Sequence, residues 1–246
     1  MKRCEVGSSP RWARRKEDRP QELLCAALQV FQEKGFAGTR LDEVAKMAGV
    51  SKGTVYLYYT NKEDLLKAVV REHISPIVTE IREEIALQPF ANQTELLEFS
   101  VRQWWVRYGS TKLGAVSKII LGESHLFPDM TQFFYTEVIQ PWWSYLQGIL
   151  QRGVDTGEFV AMDTEYAARI LSSPLVILSL WTRTMDINCQ TDTNPDRFLN
   201  TYVHLMIQGL KNSAHDSTAR THSAGASTRT ALGGIADAFG LFKIQT

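Results

Sequence analysis

Between Thr39 and Asn61 the chain sets three helix-capping residues, Thr39, Ser51 and Asn61, into 23 consecutive positions. Each side chain can accept a hydrogen bond from a free amide in the first turn that follows, so three helix starts are fixed at once. Asp42 follows Thr39, and Asp64 follows Asn61, at the capping-box spacing. Gly49, between the first two caps, is the residue type that ends a helix in the left-handed conformation. Two short helices around an Ala-Gly-Val turn result. Neither is long enough to be stable alone, so each must pack steeply against its neighbours.

The flanking sequence supplies those neighbours. From Pro20, the apolar positions Leu23, Leu24, Ala27, Leu28, Val30 and Phe31 recur at helical spacing until Gly35. A stripe from Leu65 to Ile85 is broken by Pro76, which should kink or divide it. Further helices are expected over 94–108, 112–122, 128–152, 163–185 and 195–211, with Pro141 and Pro174 bending two of them. The alternating pattern of strands is almost missing. The expected fold is all-α, with an N-terminal three-helix helix-turn-helix domain (20–66) joined to a helical domain (67–212). Residues 1–19 read as a flexible basic arm, and 213–246, rich in Ser, Thr, Ala and Gly, as a disordered tail.

Charge is uneven where the total hides it. The chain has 27 basic and 27 acidic residues, yet residues 1–62 hold twelve Lys and Arg against seven Asp and Glu. Three cysteines at unpaired spacing argue against a disulfide framework or zinc site and fit a reducing, cytoplasmic setting. The longest apolar run, "PLVILSLW", is too short to span a bilayer. No cofactor or metal is expected.

In a helix-turn-helix the second helix can lie in the DNA major groove. Here Val55 and Tyr59 can face inward, leaving Lys52, Gly53, Thr54, Tyr56 and Tyr58 outward: a cation, a bare backbone, a hydroxyl and two phenols. The stretch "TRLDEVAKMAGVSKGTVYLYYTNKEDLL" resembles the DNA-binding signature of TetR/AcrR-family transcriptional regulators. By position, the resemblance implies DNA contacts from Thr39, Arg40, Ser51, Lys52, Gly53, Thr54, Tyr56, Tyr58 and Lys62; Leu57 is not carried over. A second stretch, "FPDMTQFFYTEVIQPWWSYLQGILQRGVDTGEF", resembles the ligand domain of the AefR-like branch. Together they imply a homodimer on a palindromic double-stranded operator, joined through its last two long helices, with a pocket for a small, lipophilic effector. Candidate lining residues are Trp104, Trp105, Tyr108, Phe134, Trp142 and Trp181, although aromatics at helical spacing are more often core. Adjacent pairs such as Trp104 and Trp105 should not share one wall.

Enzymatic readings find little support. No histidine has a partner at motif spacing, and Glu123-Ser124-His125 cannot be a triad because consecutive helical residues do not face one another. Two functions remain: a ligand-responsive repressor, and a helical DNA-binding regulator without a small-molecule switch. An open apolar cavity beyond residue 67 would favour the first.

Overall fold

The computed structural model describes residues 19–189 and 193–212. The expected arm, apart from Arg19, and the expected tail lie outside the described residues. Eleven α-helices are present among them: α1 (Arg19–Gly38), α2 (Leu41–Ala48), α3 (Lys52–Tyr58), α4 (Lys62–His73), α5 (Ile77–Ala86), α6 (Gln93–Trp104), α7 (Ala115–Glu123), α8 (Pro128–Phe134), α9 (Gln140–Asp155), α10 (Thr164–Cys189) and α11 (Pro195–Leu210). Among the described residues, extended pairing is limited to one isolated bridge, Phe159 with Lys211.

The local signals act as the sequence suggests at two of the three caps. Ser51 Oγ accepts from the Thr54 amide at 3.1 Å, and Asn61 Oδ1 accepts from the Asp64 amide at 2.8 Å. Gly49 ends α2 with φ 67°. Thr39 departs from expectation. The α2 cap is Arg40, without a side-chain bond, while the Thr39 hydroxyl donates back to Gly35 O at 2.6 Å and is buried. The reason is Gly35, whose φ of 71° turns the end of α1 and leaves its carbonyl within reach of Thr39. Replacing Asn61 with alanine should lower stability by about 1 kcal/mol in reversible denaturation, and with glycine by only a few tenths. Equal losses would remove capping as the cause.

Pro76 divides rather than kinks: α4 ends at His73 and Pro76 precedes α5. The helix expected over 128–152 contains a π-helical turn, Tyr135–Ile139, immediately before Pro141. Pro141 has no amide to offer the carbonyl one turn back, and the backbone widens there so that the Gln140 amide reaches Tyr135 O. A second π-turn, Trp105–Gly109, interrupts the helix expected over 94–108.

α1 packs against α2 and α4, and also against α7. Leu23, Ala27, Phe31, Val55 and Leu65 are fully buried at one end of the core, and Leu97, Leu146, Ile149, Leu175 and Leu178 at the other. Cys25 is disulfide-bonded, contrary to the expectation from cysteine count and spacing, because pairing depends on proximity in space.

Candidate nucleic-acid interface and effector region

The face of α3 follows from its anchor. Val55 is fully buried against the core, and helical residues turn by about 100° each, so the positions opposite it are Gly53 and Leu57. Thr54 and Tyr56 flank that ridge. Tyr56 and Tyr58 are exposed by 47% and 40%. Ser51 Oγ and Thr54 Oγ1 share a hydrogen bond of 2.8 Å. Lys52 is exposed, with Nζ 2.9 Å from Asp42 Oδ1 and 5.7 Å from the Tyr56 ring centre. The hydrogen bond to Asp42 holds the ammonium above its usual pKa. A phosphate at Lys52 therefore has to replace or share Asp42. Arg40 is exposed at the start of α2.

Two of the expected contact residues are engaged inside the free chain. Thr39 is turned inward, as above. Lys62 donates to Phe36 O at 2.8 Å and Ala37 O at 2.9 Å, with Nζ 4.8 Å from the Phe36 ring centre. It holds the end of α1 and is already committed there. The order of residues shows that α4 starts near Lys62 but not what its first side chain meets.

On the same two residues acts a side chain weighed above only as a triad member. Glu123, the last residue of α7, accepts the Phe36 amide at 2.8 Å on one carboxylate oxygen and the Ala37 amide at 2.7 Å on the other. A Cβ at Gly35 would come within 2.9 Å of that carboxylate, so glycine keeps the approach open. The available signal was electrostatic, since an acid at a helix C-terminus opposes the helix dipole and calls for a partner.

In the second half of the chain, Trp104, Trp105, Tyr108, Phe134 and Trp142 are all buried. Trp104 lies against Trp142 with ring centres 6.0 Å apart and against Tyr108 at 5.1 Å. Contrary to the expectation for adjacent residues, Trp104 and Trp105 both reach Gly109, where an added Cβ would meet their rings at 3.0 and 2.4 Å. The π-turn between them and Gly109 makes this possible. Trp181 does not join the cluster. It is 43% exposed and shares the outward stripe of α10 with Tyr166, Ile170 and Ile177, spaced by whole turns.

The cluster has polar anchors. Tyr108 Oη and Ser117 Oγ on α7 lie 2.6 Å apart, and burial pushes the phenol up to about 12. Tyr145 Oη pairs with Ser100 Oγ at 2.6 Å. The buried indole nitrogen of Trp142 has no hydrogen-bond partner. Two cavities stand out among the described residues, and neither is lined by the cluster. One, of about 10 Å³, lies between Phe36, Ile119, Phe127 and Met130; the other is an open groove of about 480 Å³ between α1 and α4. The rings of the aromatic region are packed out of solvent in this conformation.

No group of three or more metal-ligating side chains and no helix long and apolar enough to cross a membrane occurs among the described residues. A short exposed helix on a capped turn, latched to a helical body with a buried aromatic cluster, defines a helix-turn-helix regulator with a helical effector region. The comparisons agree. The profile of bacterial regulatory proteins of the tetR family matches residues 23–69, and that of the AefR-like transcriptional repressor C-terminal domain matches 96–208. The fatty acid metabolism regulator protein of Bacillus subtilis is 30% identical over 145 residues, 58% of this chain and 73% of that one. The chain belongs to the TetR family and is a DNA-binding transcriptional regulator.

Among solved structures, FadR of Bacillus subtilis in complex with stearoyl-CoA is 25% identical, with a TM-score of 0.65 over 77% of this chain and 98% of that one. FadR of Bacillus halodurans, at 24% identity and TM-score 0.67, covers 80% and 98% and shares the fold.

Proposed function

We propose that this chain is a homodimeric repressor released from a palindromic operator by a long-chain acyl thioester, which inserts where Trp104, Tyr108 and Trp142 now pack. Residues 20–66 serve as the DNA-binding domain and 67–212 as the effector and dimerisation domain. Within the DNA-binding domain Arg40, Ser51, Lys52, Gly53, Thr54, Tyr56 and Tyr58 face the duplex.

The observation that carries the effector reading is the orphaned Trp142 indole. A buried donor without a partner is unfavourable by about 1–3 kcal/mol, and an acceptor on an incoming ligand relieves it. Apolar rings and hydroxyls pack around it, which suit an acyl chain and its carbonyl, and the Arg82 guanidinium lies 5.2 Å from the centre of the Tyr145 ring. Both π-turns border this region, and such turns frequently mark functional sites. The likeness to a fatty acid regulator and to a structure holding stearoyl-CoA points the same way.

The route to the DNA runs through α7. Ser117 on α7 holds Tyr108 in the cluster, and Glu123 on the same helix holds the end of α1. A ligand that parts the cluster tilts α7 and pulls the latch, and the two recognition helices leave the spacing of about 34 Å that successive major grooves require. It acts only through its different affinity for the closed and opened forms.

The test uses full-length protein and a duplex selected by it from a random-sequence pool. Stearoyl-CoA at micromolar concentration should quench tryptophan fluorescence and release the duplex, whereas coenzyme A alone should do neither. DNA binding that ignores both compounds, with no change in fluorescence, would favour the regulator without a small-molecule switch, for which the burial of the cluster is the matching observation.

A further inference from the structure

We propose that Leu57 is a specificity-determining residue that reads the 5-methyl group of thymine in each operator half-site. The inference rests on α3 lying in the major groove and adds what its central side chain selects there. A single exposed leucine is ordinary on a protein surface. What distinguishes Leu57 is its place. It is 84% exposed, directly opposite the buried Val55, and therefore at the middle of the face that meets the bases.

Its partner on that ridge, one turn earlier, is Gly53, whose missing side chain lets the helix settle deeply. An added Cβ at Gly53 would meet nothing closer than 3.8 Å, so the fold of the free chain does not require glycine there. Three of the polar groups beside the ridge are already engaged within the protein, while the Tyr56 and Tyr58 rings stand exposed to either side. Ser51 and Thr54 share a hydrogen bond, and Lys52 is paired with Asp42. Leu57 neither donates nor accepts, and the one apolar feature that base pairs show in the major groove is the thymine methyl. An apolar side chain at the centre of the face therefore favours thymine over cytosine and rejects positions that offer only unpaired polar edges.

The experiment isolates the methyl. Duplexes selected from a random-sequence pool by the full-length protein are resynthesised with deoxyuridine in place of thymidine, one position at a time, which removes the methyl and keeps every hydrogen-bonding group. At one thymine in each half-site the wild-type protein should lose about fourfold in affinity, the size of one methyl group withdrawn from an apolar contact. Leu57→Ala should bind the thymine and uracil duplexes equally, and Leu57→Met should keep the preference. Leu57 lies outside the core, so these variants should fold as the parent does.

A wild-type protein indifferent to uracil at every position, or an alanine variant that keeps the full discrimination, would overturn the proposal. If no duplex is enriched from the pool, the DNA-reading role of α3 fails first and the proposal falls with it. That result is distinct from enrichment without methyl discrimination.

Discussion

Ile170→Asp combined with Leu205→Asp should leave the protein folded but monomeric, with operator affinity lowered by at least about a hundredfold. Ile170 is 66% exposed on α10, in line by whole turns with Tyr166, Ile177 and Trp181, and Leu205 is 65% exposed on α11, which packs against α10. Apolar groups collected in this way on adjacent long helices are the signature of a covered surface. In a two-fold interface each position occurs twice, so two substitutions bring four carboxylates together without partners. The core of the single chain is untouched, since Leu175, Leu178, Leu199 and Val203 on the inward faces remain buried. A monomer engages one half-site at a time and loses the effective concentration that linkage supplies. Sedimentation and anisotropy on one selected duplex check both parts. A variant that still sediments as a dimer would show that this face is not the interface.

What was legible in the sequence was local. Ser51, Asn61 and Gly49 act within one turn of their own positions, and their residue types suffice to announce them. Thr39 was misread because its cap depended on Gly35, where the positive φ sends the hydroxyl backward into α1 instead of forward into α2. Lys62 and Glu123 were beyond reach for a different reason. Both act on the backbone of Phe36 and Ala37, from 26 and 87 residues away when measured to Phe36, and no periodicity encodes such a meeting.

The aromatic cluster lies between. Its burial follows from composition and spacing, as does the separation of Trp142, which is buried, from Trp143, which is half-buried beneath Arg169. Its sharing of Trp104 and Trp105 at Gly109 needed the π-turn, which only Pro141 announces in the other helix. Trp181 was grouped with these residues on aromatic character alone. Helical spacing with Ile170 and Ile177 was the better guide, since it placed the ring on the outward stripe.

The other large effect should come from Glu123→Ala, which is expected to leave acyl thioester binding intact while reducing the ligand-induced loss of DNA affinity by at least about tenfold. Hydrogen bonds to a charged acceptor contribute roughly 1.5–3 kcal/mol each. Glu123 accepts two, from the Phe36 and Ala37 amides, and no other described side chain of α7 makes a hydrogen bond to the end of α1. Lys62 holds the carbonyls of the same two residues from α4, so the end of α1 is gripped from the DNA-binding side as well. Removing the carboxylate releases only the α7 grip. The end of α1 stays with α4, and a tilt of α7 driven from Tyr108 and Ser117 then has nothing to pull.

The readout is the ratio of DNA affinities with and without stearoyl-CoA, so that any change in basal affinity cancels. Glu123→Gln serves as the intermediate case, because its amide keeps one acceptor for two donors. Ser117→Ala should weaken the same ratio from the other end of α7 while keeping the Phe36 and Ala37 bonds. Coupling is a free energy shared by two sites, and only a change in the ratio reports it. If Glu123→Ala binds the thioester and still lets go of DNA as the parent does, α7 is not the element through which the two regions communicate.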